Sequence, residues 1–301
     1  MVEYPLYTNN VFAISPLGTR VTLEPGETYT GSFKLTNPID ATNNLHYKVN
    51  IAPYSEIDDG DVNVAEYSGI LDWVTVNQPE GIIEPNNTLV VNYSIDVPSD
   101  VVGGGQYFAF MVQNVPDEDA NSDGVQIRDV IELSSIVYAT VNGEIKYGGD
   151  VTRIDMPMIS FMDFITIGAE LNNTGNIHQD ALVKIEAKDH FTGNEVAVRS
   201  DGEKDMDEKS DDGIVKTSFV MMPGSSRYVN VRVAGLPEVG IYDVHGTIYY
   251  DNEEFVADQM VILCPVWLFV IILGATIAVL AVVVILIRKL VKKMRKNLYR
   301  S

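Results

Sequence analysis

Between Val261 and Ile287 stand 27 consecutive residues without a charge, VILCPVWLFVIILGATIAVLAVVVILI. A helix rises about 1.5 Å per residue, so such a run is long enough to cross a hydrocarbon core of about 30 Å. It reads as a transmembrane helix. The next stretch, RKLVKKMRKNLYRS, holds seven basic residues and no acid, which places the tail in the cytoplasm and everything before the span outside. Arg288, Lys289, Lys292 and Lys293 close the span on that side. Pro265 suits the first helical turn, and Trp267 suits the outer interface.

The charge balance agrees with this orientation. Seven of the 21 basic residues lie in the tail, leaving 14 against 42 acids, so the part before the span carries −28. A surface of that sign repels nucleic acid, and no such partner is expected. Met1 to Ser15 has neither a basic start nor an apolar core of signal-peptide length. The sequence therefore reads as a mature form; the alternative, a tail-anchored chain with its bulk in the cytoplasm, would drive seven basic residues across the bilayer. Cys264 is the one cysteine, so no internal disulfide is possible and packing must hold the fold.

From Val11 to Leu263 apolar residues alternate with polar ones in short runs such as TYTGSFKLTN, TLVVNYSIDV, QYFAFMVQNV and YDVHGTIYY, separated by turn residues. No helical amphipathic stretch interrupts them. There is also an internal repeat: Glu84 to Phe110 lines up with Met222 to Tyr250, each with a Pro-led turn, a strand, a second Pro, a Gly turn and a Tyr opening the next strand. The fold class expected is all-β: two tandem immunoglobulin-like β-sandwich domains followed by one C-terminal transmembrane helix. The divisions are an extension at 1–10, a first sandwich at 11–149, a second at 150–263, the span at 264–287 and the tail at 288–301. No flexible stalk precedes the span, so the second sandwich should sit against the bilayer and the first should project outward.

Catalytic patterns are missing from the sequence. The four histidines, His46, His178, His190 and His245, are scattered, and no nucleophile elbow, Cys-His pair or phosphate loop occurs. Gly103-Gly104-Gly105 precedes a strand-like run, whereas a phosphate cradle needs a helix N-terminus; a tight bend leading into a strand is the better reading. Asp119-x-Asn121-x-Asp123-Gly124 forms the first half of a calcium loop, but position twelve is Val130 where a bidentate acid belongs, and a solvated hairpin loop competes. No other cofactor is expected. In QYFAFMVQ, Tyr107, Ala109 and Met111 point to one face while Phe108, Phe110 and Val112 point to the other. With both faces apolar, the second must be covered by an insertion, by the other domain, or by a partner. Trp73, Tyr107, Phe108 and Phe110 are the candidate binding residues, with a core role as the competing reading for Trp73.

The order of VTLEPGETYTGSFKLTNPID, IEPNNTLVVNYSIDVPSDVVGGGQYFAF, MMPGSSRYVNVRV and LPEVGIYDVHGTIYYDNEEFVADQMVI resembles the WxL-interacting proteins of Gram-positive cell surfaces. The resemblance spans nearly the whole chain and implies a non-catalytic bacterial surface protein: a peptidoglycan-binding first domain, a second domain that binds a host protein, a span and a basic tail. The same patterns resemble pilus-chaperone immunoglobulin-like domains, the first domain most of all. Competing roles are therefore a calcium-dependent adhesin and a chaperone or subunit for a surface polymer, with cell-wall peptidoglycan or other surface proteins as partners. Adding a strand to an exposed edge is the natural mode of recognition for such domains.

Overall fold

The computed structural model describes residues 7–8, 12–56, 62–63, 69–115, 130–200 and 214–298. The first sandwich is built from β1 (Tyr7–Thr8), β2 (Ala13–Ser15), β3 (Gly18–Leu23), β4 (Thr28–Thr36), β5 (Leu45–Pro53), β6 (Ser55–Glu56), β7 (Val62–Asn63), β8 (Val74–Val76), β9 (Glu80–Ile83), β10 (Thr88–Asp96), β11 (Gly104–Asn114) and β12 (Glu132–Val141). One sheet has the order β1-β2-β4-β10-β8, and the facing sheet has β3-β12-β11-β5-β9. The second sandwich comprises β13 (Gly149–Asp155), β14 (Ile159–Ser160), β15 (Phe164–Asn173), β16 (Gln179–Asp189), β17 (Glu195–Val196), β18 (Arg199–Ser200), β19 (Val215–Met221), β20 (Ser226–Ala234), β21 (Gly240–Tyr250) and β22 (Glu253–Leu263). Its sheets run β13-β15-β20-β18 and β14-β22-β21-β16-β17, with β19 also on β16. A helix, α1 (Val266–Leu298), follows.

The two sandwiches repeat one plan, and the repeat read from the sequence falls on β10–β11 and β20–β21. In each, the chain enters antiparallel to the second long strand (β2 on β4, β13 on β15), crosses to the other sheet, and there runs parallel to the last strand (β3 on β12, β14 on β22). A buried asparagine ends the second long strand in both. Asn37 donates through Nδ2 to the carbonyls of Asn43 at 3.0 Å and Ile83 at 2.9 Å; Asn173 donates to those of Ile177 and Met221, both at 2.9 Å. An unpaired buried amide is costly, so these bonds fix the loops that meet there.

Alternation explains the cores. In β10, Val91, Tyr93 and Ile95 are buried, whereas in β16 the buried set is Gln179, Ala181, Val183, Ile185 and Ala187. In the first core the Phe110 ring lies 4.8 Å from Phe33 and 4.7 Å from Tyr93, centroid to centroid. At the tip of the last hairpin Asp251 and Asn252 have φ of 49° and 60°, the left-handed pair that a two-residue turn between twisted strands requires. The apolar run of the sequence is shared between two elements: Val261 to Leu263 belong to β22 and are paired with Tyr242 to Gly240 of β21, while the helix begins at Val266. Hydropathy alone cannot divide a buried strand from a span. The helix continues beyond Ile287 into the basic tail.

Candidate functional site

The candidate surface on β11 proves to be a joint between the domains. Phe108 and Phe110, two of the candidate binding residues, are 0% and 1% exposed, and their side chains lie within the first core. The reason is register: their face of β11 turns toward the opposing sheet. Tyr107 points the other way and packs with Tyr138 and Met222 in a small cluster bordered by Tyr54, Ile136 and Val220. Met222 and Val220 belong to the second domain. The cover that the apolar face of β11 demanded is therefore intramolecular.

Polar contacts surround that cluster. Bending between Asn173 and Gln179, the loop after β15 inserts Asn176 and His178 into the first domain. Gly105 N–H donates to the Asn176 carbonyl at 2.8 Å, and Asn176 Nδ2 donates to the carbonyls of Glu144 at 2.8 Å and Gly103 at 3.3 Å. Asn176 Oδ1 accepts from Lys146 N–H at 2.7 Å. The His178 backbone N–H donates to the Tyr107 hydroxyl at 2.6 Å, and the same hydroxyl lies 3.3 Å from His178 Nδ1. At the rim Arg20 holds Asp180 through two N–H···O contacts of 2.5 Å each.

The three glycines are explained by this geometry. A Cβ on Gly103 would stand 2.6 Å from the Gly143 Cα and 2.8 Å from the Glu144 backbone nitrogen. Gly104 has φ of 145° and faces Asn176. Under the Tyr107 ring lies Gly105, as Gly240 lies under Tyr242 in the second domain. The Gly-x-Tyr pair is common to both domains, but the hydroxyls diverge: Tyr242 bonds its own Pro237 carbonyl at 3.1 Å, whereas Tyr107 reaches across the joint.

Burial sets the protonation of the joint. It pushes the Tyr107 hydroxyl well above its ordinary range, offset in part by the His178 backbone bond. His178 is pulled down to about 4, first by burial and then by the Arg20 guanidinium, with Asp180 opposing. At neutral pH the imidazole is uncharged.

The other expected residues lie elsewhere. Trp73 ends a 3₁₀ turn, Gly69–Trp73, and is half-buried against the first core, in a different cluster from Tyr107. Asp119, Asn121 and Asp123 fall outside the described residues. Trp267 is exposed on the first turn of α1 after Pro265, and Arg288, Lys289 and Lys292 follow the apolar run on the same helix; of Lys293 only the backbone is described, within that helix. His190 pairs with Asp243 at 3.0 Å and His245 with Asp258 at 2.6 Å. Among the described residues no group of three or more His, Cys, Asp or Glu side chains converges as a metal site. A cavity of about 820 Å³ on the second domain is lined by Glu186, Lys188, Asp243, His245 and Asp258, and by Ile214, beside residues that are not described.

Two β-sandwiches of the immunoglobulin type, followed by a helix long and apolar enough to cross a membrane, define the class of protein. No protein-family model matches the chain, and no curated protein matches it. Among solved structures it is similar to the class 5 fimbriae chaperone CfaA, at 9% identity and a TM-score of 0.41 over 82% of this chain and 98% of that one. It is also similar to a chain of the chaperone–tip adhesin complex of CFA/I fimbriae, at 10% identity and a TM-score of 0.40 over 84% and 99%. A third is the E. coli chaperone DraB, at 13% identity and 0.34 over 84% and 98%. These are likenesses of fold, to immunoglobulin-like domains of the pilus-chaperone kind.

Proposed function

We propose that this chain is a non-catalytic binding and assembly protein of a cell surface, held by one span, with its first sandwich displayed outward and its basic tail in the cytoplasm. The carrying observation is that joint and anchor sit at opposite ends of the second sandwich. The joint uses the end near Asn173 to Gln179, while β22 leaves the other end at Leu263, directly into the helix. Strands of 11 residues such as β21 span about 35 Å, so the first sandwich stands off the bilayer by about that length.

The partner is an extended segment of another surface protein, added as a strand along β4. Supporting this is the side of β4 away from β10. It is paired with β2 only at Lys34 to Thr36, so Thr28 to Phe33 have no strand partner there among the described residues. Such an edge is a template for a further strand. The test places the full chain in nanodiscs on purified cell wall and on a surface-protein extract, beside a Thr30→Lys, Ser32→Lys variant. Retention of surface protein by the parent and its loss in the variant is expected. Retention by wall polymer alone would replace strand addition with the peptidoglycan reading, and retention of neither would overturn the function.

A further inference from the structure

We infer that the loop between β13 and β14, with the tip that follows, is a second membrane contact: Met158, Ile159, Phe161 and Met162 enter the outer leaflet beside the helix. From Met156 to Met162 the chain carries no charge. Those four side chains are 67%, 47%, 42% and 61% exposed, an unusual concentration for one loop of a soluble surface.

What covers them follows from where they are held. The backbone of this loop is laddered to the residues that lead into the span: Ile262 N–H donates to the Met158 carbonyl at 2.9 Å and Cys264 N–H to the Ser160 carbonyl at 3.0 Å. Ser160 Oγ donates to the Phe164 carbonyl at 2.7 Å and accepts from Met162 N–H at 3.2 Å, fixing the tip. Beyond Ser160 the chain continues past the end of β22, and the Phe161 ring meets that of Phe269 at 5.2 Å between centroids, edge to face.

Depth can then be worked out. The apolar part of the helix, Val266 to Ile287, is 22 residues. At about 1.5 Å per residue it spans about 33 Å, scarcely more than a hydrocarbon core of about 30 Å. Its outer boundary therefore lies within the first turn, and Phe269 is at or below it. Phe161 touches Phe269 and so shares that depth. At the same end of the sandwich Val239 and Phe191, exposed at 54% and 78%, sit in the turns beside Gly240 and Asp189. The occupant is lipid, since the patch is continuous with the surface the span already offers to lipid. The charges near this end are mixed, with Asp163, Asp189 and Glu238 beside the patch in the chain and Arg232 over the Phe164 ring at 4.4 Å, so burial of apolar area drives the contact.

This rests on α1 being a membrane span, and the test separates the two. The full chain carrying Cys264→Ala is labelled with an environment-sensitive fluorophore at one of four introduced cysteines: Met158→Cys, Met162→Cys, Phe269→Cys, or Glu254→Cys at the far end of the second sandwich. Each is reconstituted into zwitterionic vesicles containing lipid brominated near the top of the acyl chain. Loss of emission at 158 and 162 comparable to that at 269, with none at 254, is the expected result. Quenching at 269 without quenching at 158 and 162 overturns the loop contact and leaves the span intact; no quenching at 269 overturns the span and the loop contact with it.

Discussion

Replacing Asn176 by Ala should uncouple the two sandwiches. The side chain donates to the Glu144 carbonyl at 2.8 Å, accepts from Lys146 N–H at 2.7 Å, and makes a longer contact of 3.3 Å with the Gly103 carbonyl. Net contributions of such bonds are about 0.5–1.5 kcal/mol each, and the longest counts least. The joint should therefore weaken by about 1–3 kcal/mol. The two hydrophobic cores are untouched, so each domain keeps its fold. In calorimetry of the full chain in nanodiscs, the parent should unfold its outer part in one transition and Asn176→Ala in two. Thr174→Ala, an exposed neighbour in the same loop, should behave as the parent. A single, unshifted transition in Asn176→Ala would mean that the side chain contributes nothing to the coupling.

Three further outcomes follow from the same geometry. Phe110→Ala, which opens a cavity among Phe33, Tyr93 and Phe108, should destabilise the first domain by about 3–5 kcal/mol in chemical denaturation. His178 is held near 4, below its ordinary 6.5, so the fold favours the neutral ring: its contribution is complete above about 6.5 and is lost as pH falls from there through about 4. Partial exposure of the ring limits the loss to about 1–2 kcal/mol, and His178→Gln should flatten the melting temperature across that window. Gly103→Ala should lower the melting temperature more than Gly193→Ala. At Gly103 the new methyl meets the Gly143 backbone at 2.6 Å, whereas the methyl at Gly193 meets open space and strains only a turn with φ of 69°.

Strand alternation made most of the architecture legible. Val91, Tyr93 and Ile95 announce the inner face of β10, and the matching of Glu84–Phe110 with Met222–Tyr250 announces that the plan occurs twice. The long apolar helix was legible as well, except at its start, where Val261 to Leu263 are equally apolar as strand or helix and only their pairing with β21 decides. What covered β11 was not legible. Two apolar faces say that a cover exists, but the cover is Val220 and Met222 together with a turn, NTGNIHQD, whose Asn176 and His178 look like ordinary solvated loop residues. The Arg20–Asp180 pair joins positions 160 residues apart, and neither residue stands in a pattern that would betray the other. Two apolar faces make Phe108 and Phe110 candidates for a covered binding surface, and which face meets the opposing sheet depends on a register that the run itself does not carry. Gly103 to Gly105 carried the better signal, since a tyrosine two residues after a glycine recurs at Gly240 and Tyr242.

Joined through Tyr107, Asn176 and His178, the two sandwiches should form one rigid arm. The distance between spin labels at Glu84→Cys and Glu254→Cys, in a full chain carrying Cys264→Ala and held in nanodiscs, tests it most directly. A single narrow distribution, broadened by Asn176→Ala, is the predicted result; a broad distribution in the parent would mean that the domains swing freely and would contradict the account.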